Sequence, residues 1–366
     1  MHMKRSVFLP VVLCASLLGQ ENTGSTFGVD VRIVTAPTVV RDKSGKIVNG
    51  LEAKDFVLYD NNLQQSLKLE TEYSPISMVV AIQANANAEA LLPVVKKIGP
   101  LIEGLLLGSG GEAALLKFDH RIIEIQPFTG DGRIMGKALE KVNAGSTSSR
   151  MIDTAHQAAR MLRNRPKGNR KVLLMITETR DNGSEGKLRD ALTELEFANA
   201  TVYTINLNRA IGLLTQKMAV PRPDPFPAGT RAPMPGGAPQ TPSTIEGMTG
   251  YRSQTFNIIP VFEEVAKQIK GLILPNPVEV LTRYTGGHEY SFLKETDMQR
   301  VMSDLGEELH SQYILSYQPD KVTLSKGGWH EIRVGVVGRP SMKASSRDGY
   351  WMAAVPNVGA PDPKQK

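Results

Sequence analysis

Cysteine is all but missing from this sequence: Cys14 is the only one in 366 residues. That excludes a disulfide scaffold and a thiolate metal site. Beyond the first twenty residues no apolar run approaches the ~20 residues a helix needs to cross a bilayer, so a polytopic membrane protein is excluded too. No charge sign dominates. Against 43 basic residues stand 37 acidic ones, a formal +6 spread along the chain without the basic stripe that nucleic-acid binding requires. The six histidines (His2, His120, His156, His288, His310 and His330) form neither a His-x-x-x-His pair nor a His-Glu-x-x-His run, so a zinc site has no motif. No Gly-x-Ser-x-Gly elbow occurs. Gly108-Ser109-Gly110-Gly111 precedes a strand pattern rather than a helix, the wrong context for a phosphate cradle.

What is there describes an ordinary globular protein, with 41% hydrophobic and 22% charged residues. The apolar content excludes disorder throughout, and the length suits two domains or one with appended parts. Residues 1–19 read as a secretory signal: Met1–Arg5 is short and basic, Ser6–Leu18 is almost wholly apolar, and Gly19 offers a small residue for cleavage. The run is too short for a spanning helix, although a retained anchor is the other reading. Cys14 invites lipidation, but Leu13 before it is bulky for such a cleavage site. Export to the periplasm or medium is expected, with no stable membrane span after cleavage.

Along the mature chain the first pattern is β. Val29, Val31 and Ile33 alternate with Asp30 and Arg32, a period of two. Asp42–Lys46 is a turn cluster, so Pro37–Val40 and Ile47–Leu51 are expected as a hairpin. Phe56 and Leu58 alternate, as do Leu67 and Leu69, with a turn at Asp60-Asn61-Asn62. The chain ends in β again, at Tyr313–Tyr317, His330–Val337 and Lys343–Tyr350. A lone two-stranded piece is hardly stable, so residues 25–73 and 313–351 are expected to build one sandwich-like module together, with a frayed tail from 352.

Residues 75–312 alternate strand and helix patterns. Ile76–Ile82 and Lys171–Ile176 are short unbroken apolar runs, as for strands covered on both faces. Glu112–Phe118, Thr201–Leu207 and His288–Phe292 read as further strands, with Ile122–Ile125 at an edge. Helices are expected at Glu89–Leu107, Arg133–Val142, Met151–Leu162, Gly186–Asn199, Ile258–Leu272, Val278–Tyr284 and Asp297–Leu309. This order predicts an α/β fold, a doubly wound and mostly parallel sheet with helices on both faces. Residues 213–254 interrupt it: eight of the 23 prolines fall within Pro221–Pro242, which reads as an extended insertion. Pro166–Lys171 is a basic turn before a strand and reads as a solvated corner rather than an anion site.

Several pieces in order carry a resemblance: Val40–Gly45, Gly50-Leu51, Asp55-Phe56, Pro75–Ile82, Gly145-Ser146-Thr147, Thr285-Gly286-Gly287, then Gln312-Tyr313, Tyr317-Gln318-Pro319 and Asp348-Gly349-Tyr350. Together they resemble the secreted bacterial VWFA-related proteins of acidobacterial type, built around a von Willebrand factor A (VWA) domain, over about Val29 to Trp351. The resemblance implies a Rossmann-like doubly wound sheet, no enzymatic activity, and a role in adhesion or protein binding. It also implies a metal-ion-dependent adhesion site: Asp-x-Ser-x-Ser after the first strand, a threonine on a second loop and an aspartate after a central strand.

Here those positions differ. Gln83 stands for the aspartate, Asn85 and Asn87 for the serines, and Glu178 for the last acid. The threonine is Thr147 counted from Gly145, or Ser149 counted back from Asp153. Mg²⁺ prefers small hard oxygen ligands in near-octahedral array. Exchanging one carboxylate for an amide 2–4 Å from a dication forfeits gross attraction on the order of 10 kcal/mol at an effective dielectric near 20, offset in part by easier desolvation. The expectation is a degenerate site without a cofactor, with Gln83, Asn85, Asn87, Thr147, Glu178 and Asp181 on loops that bind a protein partner. A weak Ca²⁺ or Mg²⁺ site using Asn85, Asn87, Glu178 and Asp181 is the alternative, since Ca²⁺ accepts amide carbonyls. A secreted hydrolase is a third reading and would need two acids converging in a pocket.

Overall fold

The computed structural model describes residues 33–70, 74–207, 276–292, 294, 296–320 and 328–352. The signal, the Pro-rich insertion, the helix expected at Ile258–Leu272 and the tail lie outside the described residues.

The strands in chain order are β1 (Val34–Arg41), β2 (Phe56–Asp60), β3 (Leu63–Gln65), β4 (Leu67–Glu70), β5 (Ile76–Gln83), β6 (Glu112–Phe118), β7 (Ile122–Thr129), β8 (Arg170–Thr177), β9 (Ala200–Asn206), β10 (Glu289–Ser291), β11 (Tyr313–Tyr317), β12 (Gly328–Val336), β13 (Lys343–Ser345) and β14 (Gly349–Met352). The helices are α1 (Leu92–Lys96), α2 (Gly99–Leu101), α3 (Gly132–Glu140), α4 (Met151–Arg163), α5 (Leu188–Ala198), α6 (Pro277–Thr285) and α7 (Asp297–His310).

The central sheet has six strands in the order β10-β9-β8-β5-β6-β7, parallel except for the antiparallel edge strand β7. Every residue of β5 and β9 is buried, because helices cover both faces. Alternation along β5 divides its side chains between two cores. Met78, Val80 and Ile82 meet Ile98, Leu106, Leu139, Met302 and Leu305 on one face. Val79 and Ala81 meet Ala155, Ala159, Leu192 and Leu281 on the other. This is a doubly wound α/β sheet, and the strand order reverses between β5 and β8. Local chemistry sets the helix ends: Asp131 caps α3 by accepting Arg133 N at 2.8 Å, Asn276 caps α6 by accepting Val278 N at 2.9 Å, and Gly286 ends α6 in the left-handed region at φ 80°.

Two four-stranded antiparallel sheets, β13-β1-β11-β4 and β14-β12-β2-β3, flank it and mix strands from both ends of the chain. Their facing side chains, among them Ala36, Val40, Phe56, Leu58, Leu315 and Ile332, form a third core. Asp60 sits in that core fully buried. Its Oδ2 accepts the hydroxyls of Tyr317 (2.8 Å) and Tyr350 (2.7 Å), and its Oδ1 lies 3.0 Å from His330 Nδ1.

Three local expectations are corrected. Pro37–Val40 does not form a hairpin with Ile47–Leu51. Arg41 and Ile47 make a single bridge, while β1 pairs with β11 and β13 instead. The helix expected at Glu89–Leu107 is broken into a 3₁₀ turn at Glu89–Leu91, α1, α2 and a wide π turn at Ile102–Leu107. Pro100 lacks the N–H that would bond back, and its ring crowds the preceding turn, so no continuous ladder passes it. The strand expected at Lys343–Tyr350 is two strands, β13 and β14, in different sheets.

Candidate functional site

Gln83 is the last residue of β5, and Glu178 directly follows β8, its parallel neighbour. They lie at the carboxyl ends of adjacent strands where the winding reverses, the crevice in which open α/β sheets place ligands. Gln83 and Asn85 are fully buried and Glu178 is 8% exposed.

The three amides converge on one oxygen. Glu178 Oε1 accepts from Gln83 Nε2 at 2.7 Å, Asn85 Nδ2 at 3.1 Å and Asn87 Nδ2 at 3.4 Å. Two of these orientations are fixed by backbone donors, which leave no choice of acceptor. Gln83 Oε1 accepts the Glu178 N–H at 3.0 Å and the Thr177 hydroxyl at 2.6 Å. Asn85 Oδ1 accepts the Ala88 N–H at 3.1 Å. Both amides must therefore turn their NH₂ groups toward the carboxylate. Glu178 Oε2 accepts no hydrogen bond from the described residues.

The loops around this cluster are braced to one another. Gly145 N donates to Ala84 O at 2.7 Å and Ala86 N to Ser146 O at 2.9 Å, joining residues 84–88 to residues 145–150. Ser149 N donates to Asn182 Oδ1 at 2.7 Å and Asn182 N returns to Ser149 O at 3.2 Å, joining the latter to the loop after β8. Asp119, at the end of β6, is buried and accepts Arg121 N (2.8 Å) on Oδ1 and Ser146 N (3.1 Å) on Oδ2. Burial opposes its charge, but those two N–H groups, with His120 and Lys117 nearby, outweigh it and hold the carboxyl below the usual aspartate range. A Cβ on Gly145 would collide with Asp119 Oδ2, so only glycine lets this loop close over the acid.

The sequence-predicted residues divide accordingly. Gln83, Asn85, Asn87 and Glu178 come together. Thr147 reaches the cluster only through its backbone carbonyl, which accepts Asn85 Nδ2 at 3.4 Å; its side chain is exposed. Ser149 is buried, and its hydroxyl has no hydrogen-bond partner. Asp181 does not join Glu178. Its oxygens accept Ile152 N (2.8 Å), Gly183 N (3.2 Å) and Ser184 N (3.0 Å), so it caps the start of α4 and shapes its own loop. In sequence Asp119 reads only as a neighbour of His120 that makes no catalytic pair; an acid directly after a parallel strand was the signal for its role as a brace.

As arranged, this donor set does not fit a divalent cation. A hard ion needs oxygens aimed at it, and the oxygens of Gln83 and Asn85 are committed to N–H and O–H donors. One oxygen of the carboxylate that would neutralise the ion already accepts from three amide N–H groups. Among the described residues no group of three or more histidines, cysteines or acids is placed to hold a metal, and no helix is long and apolar enough to cross a membrane.

No protein-family model matches the sequence, and no curated protein is similar to it. Solved structures give distant likenesses. The vWF domain of the type V pili tip protein Mfa5 from Porphyromonas gingivalis is 14% identical, covering 30% of this chain and 39% of that one, at a TM-score of 0.26. The chain thus spans about two fifths of that structure. An aerotolerance-related membrane protein from Bacteroides fragilis is 13% identical over 64% of this chain and 99% of that one, at 0.36. The conserved hypothetical protein BatB from Bacteroides thetaiotaomicron is 11% identical over 64% and 98%, at 0.38.

Proposed function

We propose that this chain is an exported, non-enzymatic protein-binding module of VWA type whose recognition face works without a cation. The observation that carries this is the convergence of Gln83, Asn85 and Asn87 on Glu178 Oε1. Amide N–H groups supply the neutralising partial charge that a dication would otherwise bring, so the carboxylate is stable in place and has no need of one. The braced loops at Gln83–Glu89, Gly145–Arg150 and Thr177–Ser184 then offer a pre-shaped surface, which lowers the ordering cost of binding a partner. A metal-filled site is net positive and takes an acidic side chain. With an acid here and no ion, this one favours hydrogen-bond donors or a basic side chain from the partner.

The test is a pull-down from envelope extract with the full chain as bait, run in chelator and in millimolar Ca²⁺ and Mg²⁺, with thermal melts under the same conditions. The expected result is a partner captured equally in all three and a melting temperature that no cation raises, since a ligand of the native state alone would raise it. A cation-dependent partner or a raised melt would replace this reading with the retuned Ca²⁺ or Mg²⁺ site.

A further inference from the structure

Asn-Gly occurs twice in the sequence, at Asn49-Gly50 and Asn182-Gly183. The dipeptide is chemically weak. Glycine has no Cβ to shield its amide nitrogen or to restrict its φ, so that nitrogen can reach the side-chain amide of the asparagine before it. Whether it does so depends on how the fold uses the two groups, and the two pairs are treated in opposite ways.

Asn182-Gly183 is tied at each reacting group. Asn182 Oδ1 accepts Ser149 N at 2.7 Å, and Asn182 N donates to Ser149 O at 3.2 Å. Gly183 N, the atom that would have to attack, donates to Asp181 Oδ1 at 3.2 Å. A carboxylate accepting that N–H also disfavours loss of its proton. The side chain is committed to bracing two loops, and the nucleophile is occupied.

Asn49-Gly50 is the reverse. Both residues are exposed, in the segment between β1 and β2, and neither makes a hydrogen bond among the described residues. Gly50 has a φ of 82°, and nothing stands within 4 Å of where its Cβ would be. The flanks, by contrast, are pinned. The hydroxyl of Tyr313, on β11, donates to Val48 O at 2.9 Å and accepts Leu51 N at 3.0 Å, a clamp whose span contains only Asn49 and Gly50. Leu51 is buried in the sandwich core, where the Tyr313 ring meets Phe56 edge-on at 5.0 Å. The fold therefore holds this pair in place without occupying either reacting group.

We propose that Asn49 is a site of spontaneous covalent modification, converting to isoaspartate and opening the Tyr313 clamp. The Gly50 nitrogen loses its proton to solvent and attacks Asn49 Cγ. A new N–C bond closes a five-membered imide, and the side-chain amide takes a proton from water and leaves as ammonia. Water then opens the ring. Opening at the side-chain carbonyl leaves aspartate; opening at the backbone carbonyl leaves isoaspartate, whose chain runs through Cβ and Cγ. Either product puts a negative charge where a neutral amide stood. Only isoaspartate adds a methylene to the backbone, between two anchors set by one hydroxyl, and the lengthened path gives up one of those bonds. The site is independent of the Gln83–Glu178 face and stands or falls without it.

The test is peptide mapping by mass spectrometry of the full chain aged in mildly alkaline buffer, beside a second sample aged in urea. Isoaspartyl methyltransferase labelling of the same peptides separates isoaspartate from aspartate. In the folded chain Asn49 is expected to convert at least about tenfold faster than Asn182, and in urea the two rates are expected to converge. The aged chain is then separated by ion exchange. Its isoaspartyl form is expected to melt below the parent, whereas Asn49→Asp, which carries the charge without the methylene, is expected to melt with it. The proposal is overturned if Asn182 converts as fast as Asn49 in the folded chain, if neither converts, or if the isoaspartyl form melts as the parent does.

Discussion

Gln83 and Glu178 hold each other from both sides: the Gln83 amide nitrogen donates to Glu178 Oε1 at 2.7 Å while its oxygen accepts the Glu178 backbone N–H at 3.0 Å. The side chain that ends one strand thus fixes both the backbone and the carboxylate that follow its neighbour. An aspartate at position 83 could accept the backbone N–H but could not donate, and it would set a second negative charge beside the first.

That contrast makes Gln83→Asp the most direct probe of the site. In chelator the variant is expected to lose about 3 kcal/mol, from a broken charge-assisted bond and carboxylate repulsion. Millimolar Ca²⁺ or Mg²⁺ is expected to restore part of the loss, because the two acids then share a cation, while the parent does not respond. Urea denaturation with and without cation measures both. A variant as stable as the parent in chelator would show that Gln83 does not neutralise Glu178.

Acid stability reports on the loop brace. The Asp119 carboxyl is held below its usual range, and so is that of Asp153, where burial is outweighed by the N–H groups of Glu185 and Gly186 and the side chain of Arg150. A depressed folded-state pKa contributes stability that is complete above the unfolded value of 3.8 and lost as pH falls through the folded one. Asp119→Asn is expected to flatten the fall in unfolding free energy between about pH 4 and pH 2. Gly145→Ala, which drives a methyl group against Asp119, is expected to cost about 1–3 kcal/mol at neutral pH and to impair partner capture.

The alkaline limb belongs to buried tyrosines of the sandwich and of the central sheet. Burial first, then Tyr350 and Asp60, push the Tyr317 hydroxyl well above its ordinary value. Burial and Glu308 do the same for Tyr203 and Tyr290. A raised folded-state pKa gives stability that is complete below the unfolded value of 10.0 and lost as pH climbs past it. Tyr317→Phe is expected to cost about 2 kcal/mol at pH 7, by removing a bond to buried Asp60. It is also expected to shallow the decline above about pH 10 in a urea series. An unchanged alkaline slope would remove Tyr317 from the account.

The sheet was legible because burial on both faces writes itself as unbroken apolar runs. Ile76–Ile82 became β5, one residue longer at Gln83, and Glu112–Phe118 kept its bounds as β6. The helix at Glu89–Leu107 misled because its apolar spacing is helical while Gly99-Pro100 forbids a continuous ladder. Pairing partners were less legible: the turn at Asp42–Lys46 exists, but nothing local says that β11 and β13 outcompete the next segment for β1. At the site, residue types were readable by position, whereas the direction each amide faces was not. That direction depends on backbone donors at Ala88 and Glu178, which only the folded chain supplies. Asp181 was misplaced for the same reason, since its proximity to Glu178 in sequence says nothing of the α4 N–H group it caps.

A buried acid shared between strands ties the sandwich to the sheet. Arg41, at the end of β1, donates to Glu308 Oε2 on α7 at 2.9 Å, and Tyr290 on β10 donates to the same oxygen at 2.9 Å. Glu308 is 4% exposed while the Arg41 side chain is partly open to solvent, so the two ends of the pair do not contribute equally. Removing the cation strands a buried carboxylate with the hydroxyls of Tyr290 and Tyr203 for company, whereas neutralising the acid leaves an arginine that can turn to water. Arg41→Met is therefore expected to cost about 2–3 kcal/mol and Glu308→Gln less. The double variant is expected to be more stable than the sum of the two losses implies, by about 1 kcal/mol, because the stranded charge is gone. Equal and additive losses in a urea double-mutant cycle would mean that the contact is incidental and that apolar packing alone joins β1 to α7.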